Sequence, residues 1–186
     1  MDDAQKKILL KIARDTVEAV ITGKPVGQPK TDDAELNAHC GCFVTLKNQG
    51  QLRGCIGRFT SDEPLVELVV EMAKASAAGD PRFFADPLRE DEFEHLDVEI
   101  SVLSPLQRTS EPLSLRLGTD GIYIKRGCVS GCFLPQVATE TGWGKEEFLS
   151  YCCAHKAGLS ADAWKDPQTE VYLFTADVFG SEFKDL

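Results

Sequence analysis

Apolar residues at three- and four-residue spacing open the chain. Ile8, Leu9, Ile12, Thr16 and Val20 share one face, which predicts an amphipathic helix ending near Gly23. A polar linker, "GKPVGQPKTDD", follows. Cys42, Val44 and Leu46 then alternate with Phe43, Thr45 and Lys47 as a strand, "NQGQ" turns, and Leu52 to Phe59 returns as its hairpin partner. A helix is expected from Thr60 or Ser61, with Asp62, Glu63 and Pro64 in its first turn and Leu65, Leu68, Val69, Met72 and Ala73 as its buried stripe. Gly79 and Pro81 break it. A short acidic helix around 89–95 leads into the alternating strand "LDVEISVLS".

In the second half, Leu113 to Leu117, "GTDG" and "IYIKRG" read as another hairpin, and "CVSGCFLPQ" as a turn. A helix begins near Gln136. "KEEFLSYCCAHKAGL" predicts a further one stopped by Gly158, and "TEVYLFTADVF" a last strand. Hairpins mixed with helices and no regular βα repeat imply an α+β fold, a mainly antiparallel sheet flanked by helices.

Composition narrows the class of protein. The 186 residues suit one domain, or one domain with a small lobe, and a hydrophobic content of 42% is ordinary for a globular chain. The formal charge of -10 argues against nucleic acid or an anionic membrane as the main partner. The amino terminus carries charges through its apolar positions, unlike a signal peptide, and no stretch suits a bilayer span, so a cytoplasmic location is expected. Seven cysteines, an odd number, fit reduced thiols better than a disulfide framework. Phosphate loops, dinucleotide fingerprints, nucleophile elbows and H-E-x-x-H are absent, and no cofactor is expected.

The candidate chemistry sits in "LRGCIG", residues 52–57. Strands avoid glycine, so Gly54 and Gly57 point to something approaching closely, either a ligand or a second backbone. A two-residue period puts Leu52, Gly54 and Ile56 on a core face and Arg53, Cys55, Gly57 and Phe59 on the other. A guanidinium is rarely buried unpaired, which makes that second face a cleft wall or a partly covered surface. Arg53 and the N-terminus of the following helix would each favour a Cys55 thiolate, the nucleophilic form, although Asp62 and Glu63 already answer that terminus. The plainer reading is a small residue that accepts a tightly packed helix.

"FVTL" at 43–46, "LRGCIG" at 52–57, "DPRF" at 80–83, "EISVLSP" at 99–105 and "FLPQVATETGW" at 133–143 together resemble the AMMECR domain family, in its short prokaryotic form known as AmmeMemoRadiSam system protein A. The resemblance runs in order over nearly the whole chain. It implies an α+β fold with a larger and a smaller lobe, a cleft at the hexapeptide, no established reaction, an intracellular location, and genomic association with a Memo-like protein and a radical SAM protein. Arg53, Gly54, Cys55 and Gly57 match the family hexapeptide, Asp80 and Arg82 its acidic-x-Arg-Phe segment, and Pro135, Gln136, Glu140 and Trp143 its Leu-Pro-Gln/Glu-Val segment.

These matches make Cys55 the candidate catalytic residue and Arg53, Gly54, Gly57, Asp80, Arg82, Gln136 and Glu140 the candidate ligand-binding set. Read from the residues alone, Asp80 and Arg82 form a helix-end ion pair, Gln136 and Glu140 share one polar helix face, and Trp143 is a core or lobe-junction aromatic. The cysteines of "HCGC" (Cys40, Cys42), "CVSGC" (Cys128, Cys132) and "CCAH" (Cys152, Cys153) lie outside the family's motifs and lack paired C-x-x-C spacing. Three functions follow: a thiol-dependent enzyme with a small-ligand cleft at Cys55 and Arg53, a non-catalytic module that works with the Memo-like and radical SAM proteins, or a metal-binding protein using the extra cysteines and histidines.

Overall fold

The computed structural model describes all of residues 1–186, which form two compact units: Met1–Leu103 with Asp177–Leu186, and Ser104–Ala176. The first unit opens with α1 (Asp3–Thr22), capped by Asp2, whose carboxylate accepts the Gln5 N–H, and closed by Gly23 in the left-handed region at φ 68°. Its buried face is Leu9, Leu10, Ala13, Thr16, Val17 and Ala19. Ile8, expected in the stripe, is 46% exposed, because the apolar face is turned toward Leu10 and Val17.

Strands β1 (Cys42–Asn48) and β2 (Gln51–Arg58) form an antiparallel hairpin, and β1 pairs on its other side with β3 (Leu96–Leu103). Between β2 and β3 lies α2 (Leu65–Ala78), which buries all five residues of the predicted stripe together with Ser76 and Ala77. It starts later than the sequence suggests. Pro64 keeps an extended ψ of 145°, and the Ser61 hydroxyl binds the Glu63 N–H in a turn of its own. One face of the sheet (Val44, Leu46, Val98, Ile100) meets α1 and α2 in a single core with Leu9, Leu36, Leu68 and Val69. The strand order in this unit is β2-β1-β3, followed by the closing residues of the last strand.

The second unit holds β4 (Gln107–Thr109), β5 (Asp120–Arg126), β6 (Val129–Phe133), α3 (Pro135–Thr141), α4 (Lys145–Tyr151) and β7 (Glu170–Glu182), whose residues from Asp177 onward belong to the first unit. Here β7 runs between β4 and β5, and β6 lies on the far side of β5. The hairpin expected between Leu113–Leu117 and "IYIKRG" does not form. Residues 112–114 are a single 3-10 turn, and β5 pairs instead with β6, the segment read as a turn. A second core gathers Leu115, Ile122, Ile124, Phe148, Leu149 and Trp164. Trp143 packs at its margin against Phe133 and Tyr151. No helix is long and apolar enough to cross a membrane.

Candidate functional site

The hexapeptide lies on β2, at the edge of the first unit's sheet. Gln49 (φ 50°) and Gly50 (φ 78°) turn the hairpin, both in the left-handed conformation that matches strand twist. The pairing then slips. Leu46 faces Gly54 but Lys47 faces Leu52, which leaves Arg53 as an unpaired bulge. This extra residue breaks the two-residue period, so Leu52 does not join Gly54 and Ile56 toward the core; it pairs with Lys47 and is 37% exposed. Cys55 pairs with Thr45 and Gly57 with Phe43, on the face away from the helices.

Both glycines are explained by the protein's own atoms. A Cβ on Gly54 would stand 2.0 Å from the Ser76 carbonyl oxygen of α2, and one on Gly57 would stand 2.2 Å from the Phe43 ring. The close neighbour at Gly54 is a second backbone and at Gly57 a side chain. Ser76 completes the join, for its buried hydroxyl accepts the Ile56 N–H (2.9 Å) and donates to the Val44 carbonyl (2.7 Å).

"DPRF" closes the open edge of β2. Asp80 caps the 3-10 turn Pro81–Phe83, taking the Arg82 N–H at 3.1 Å and the Arg82 Nε and Nη2 at 2.9 and 2.6 Å. The same carboxylate accepts the Cys55 N–H (3.0 Å), while Arg82 Nη2 donates to the Cys55 carbonyl (3.2 Å). The pair thus satisfies the outward donor and acceptor of Cys55 as a neighbouring strand would. Arg82 beside it holds the buried Asp80 carboxyl down to about 2, against its desolvation. The ion pair read from the sequence is therefore present, with the added task of fixing the Cys55 backbone.

Arg53 is equally committed. Its Nε and Nη2 donate to the two Glu92 oxygens at 2.8 Å each, Nη1 to Asp86 (3.2 Å), and Nη2 also to the Pro87 carbonyl (3.2 Å). Burial raises the Glu92 pKa, but hydrogen bonds from Arg53, from Asn48 and from the Arg89 N–H together hold it below its ordinary range. Phe83 packs against both guanidiniums, with the Arg53 and Arg82 Cζ atoms 5.7 and 5.6 Å from its ring centre.

The Cys55 sulfur is half-buried and accepts a hydrogen bond from the Thr45 hydroxyl at 3.3 Å. The helix terminus expected to support a thiolate is engaged elsewhere: the Leu65 and Val66 N–H groups donate to the Ala38 and Leu36 carbonyls. Cys55, Arg53, Gly54, Gly57, Asp80 and Arg82 are thus gathered within the first unit. Gln136 and Glu140 lie on α3 of the second unit and do not form one polar face, since the Gln136 Oε1 is buried without a partner while Glu140 is exposed.

Sequence reading missed Glu92, Ser76 and Thr45. Glu92 is one of several acids in "REDEFEH", and nothing local singles it out. Thr45 was in reach, as the hairpin partner of Cys55.

The remaining cysteines do not assemble a metal centre. No three His, Cys, Asp or Glu side chains are grouped to hold an ion. Cys42, Cys152 and Cys153 are buried, and burial pushes the Cys132 thiol up to about 11. His39 and His95 are exposed, and His155 lies against the Tyr151 ring.

A helix-backed antiparallel sheet with a glycine-flanked cysteine on its clamped edge strand places the chain in the α+β class. The chain belongs to the AMMECR1 family, whose pattern matches residues 10–179. It is 41% identical to Protein PH0010 of Pyrococcus horikoshii, over 97% of this chain and 92% of that one, and 42% identical to a protein of Methanothermobacter thermautotrophicus, over 93% and 92%. The crystal structure of the uncharacterized protein PH0010 superimposes with a TM-score of 0.86, covering 98% of this chain and 94% of that one.

Proposed function

We propose that the hexapeptide face serves a non-catalytic interaction module. The observation that carries this reading is the engagement of Arg53: four of its five N–H groups donate to Glu92, Asp86 and the Pro87 carbonyl, and its charge is paired with two carboxylates, which disfavours an anionic substrate beside Cys55. Gly54 and Gly57, filled by α2 and Phe43, provide no ligand space either. The same clamped segment carries Phe84 at 64% exposure, the most exposed large apolar side chain of the chain. An aromatic held on a rigid turn is the kind of anchor that concentrates binding energy in a protein interface.

The family resemblance supplies the partner candidates, a Memo-like protein and a radical SAM protein. Titration calorimetry with each purified partner from the same organism tests the proposal. Binding to at least one is expected, with Phe84→Ala weakening it at least tenfold and leaving the fold intact, the loss of a buried aromatic anchor being worth about 2 kcal/mol or more. Absence of binding to both, or indifference to Phe84→Ala, overturns it.

One contact favours the thiol-dependent alternative. The Thr45 hydroxyl is placed to stabilise a Cys55 thiolate. Under that reading Cys55 is alkylated by iodoacetamide at neutral pH ahead of the exposed Cys128, and Thr45→Val slows it severalfold. Labelling of Cys55 no faster than that of Cys128 and unaffected by Thr45→Val removes it.

A further inference from the structure

The second unit carries a groove of about 780 Å³, within the size range of small-molecule sites. It belongs to neither the hexapeptide nor the family's other motifs. Its walls include Trp164 and Val171, both buried members of the second core, and its lining includes two cations, Arg108 and Lys165. In a chain of net charge -10, such a pair stands out, and neither cation donates a hydrogen bond to a carboxylate. Arg108 meets Glu170 only at 3.9 Å, too long for a hydrogen bond, and Lys165 lies over the Trp164 ring, 4.9 Å from its centre, with no carboxylate in ion-pair reach. The acid that also lines the groove, Asp166, is held by Arg126 at 2.8 Å. Glu170 itself accepts the Tyr172 hydroxyl.

Thr169 adds an independent observation. It lines the groove, is 7% exposed, and its hydroxyl oxygen is buried with no hydrogen-bond partner. Buried polar groups are nearly always paired, so an orphan calls for an explanation. The hydroxyl makes no hydrogen bond, so turning it about the Cα–Cβ bond toward the groove breaks none.

We propose that this groove binds a small organic oxyanion: a phosphate or carboxylate seated on Arg108 and Lys165, with the Thr169 hydroxyl beneath and an apolar body lying along Trp164 and Val171. The site shares no residue with the interaction surface proposed above, so either can fail alone. Phenyl phosphate is the probe. The Trp164 indole N–H, which donates to the Ser150 hydroxyl at 3.1 Å, is the NMR reporter.

Saturable movement of that signal with the intact protein is expected, about tenfold weaker in Arg108→Ala, as for loss of a charge-assisted hydrogen bond. Thr169→Val is expected to weaken binding severalfold while raising the melting temperature, because it removes an unpaired buried hydroxyl. Benzyl alcohol and inorganic phosphate, each carrying half of the recognised chemistry, are expected to bind at least tenfold more weakly than phenyl phosphate. No saturable movement, wild-type affinity in both variants, or equal binding by either control overturns the assignment.

Discussion

Replacing Asp80 by Asn removes one charge from the clamp on Cys55 and changes little in shape. The carboxylate accepts four hydrogen bonds, three from Arg82 and one from the Cys55 N–H, and both of its oxygens are used twice. An amide must turn its NH2 toward two of those donors, at a cost of about 1–3 kcal/mol. The charge itself adds to this. Holding the carboxyl at about 2 rather than 3.8 corresponds to about 2 kcal/mol, reduced to about 1–2 by solvent around the half-exposed Arg82.

Asp80→Asn is therefore expected to destabilise the protein by about 2–5 kcal/mol at neutral pH. The sign with pH follows from the depressed value. The charge contribution is fully present above the unfolded aspartate range, near pH 4, and is lost as pH falls through about 2, with about half gone by roughly pH 3. The variant has no such contribution to lose, so the gap between the two proteins narrows with acid. Urea unfolding followed by far-ultraviolet circular dichroism reads the relevant unit, since the two longest helices, α1 and α2, lie in it. A gap below about 0.5 kcal/mol at neutral pH, or one unchanged between about pH 7 and pH 3, refutes the clamp.

Other substitutions test the packing of the hexapeptide. Gly54→Ala forces a methyl against the Ser76 carbonyl and is expected to cost about 3 kcal/mol or more in urea unfolding, whereas Leu52→Ser, on the exposed side of the bulge, should stay within about 0.5 kcal/mol of the parent. Ser76→Ala orphans the Ile56 N–H and is expected to cost about 1–3 kcal/mol by the same measurement. In a timed iodoacetamide reaction read by mass spectrometry, the exposed Cys128 should label first. Cys42 and Cys152, whose thiols burial pushes far up, should label only on unfolding; early labelling of either contradicts the core assignments.

The longer elements were legible because each carries a complete local signal. The stripe of α2, the stop of α1 at Gly23 and the β1–β2 hairpin all follow from periodicity and turn residues within a few positions. Where the signal is short or interrupted, the reading failed. Strand β4 has only three residues, too few for a period, and β6 contains Gly131, which reads as a turn but is there because a Cβ would collide with the backbone at Lys156 and Ala157. The site was half legible for a related reason. Cys55, Arg53, Asp80 and Arg82 were named, but the orientation of Leu52 depends on a bulge that alternation cannot reveal. The partners of Arg53, Asp86 and Glu92, lie 33 and 39 residues away along the chain, where no local pattern points to them.

The division of the chain also divides its chromophores. Both tryptophans and all three tyrosines fall within residues 104–176, so ultraviolet emission excited in their absorption band arises solely from that portion, and the hexapeptide portion is dark. A probe of phenyl phosphate and a probe of the Cys55 clamp can therefore be followed in one cuvette by separate optical signals, with neither portion needing to be cut from the other.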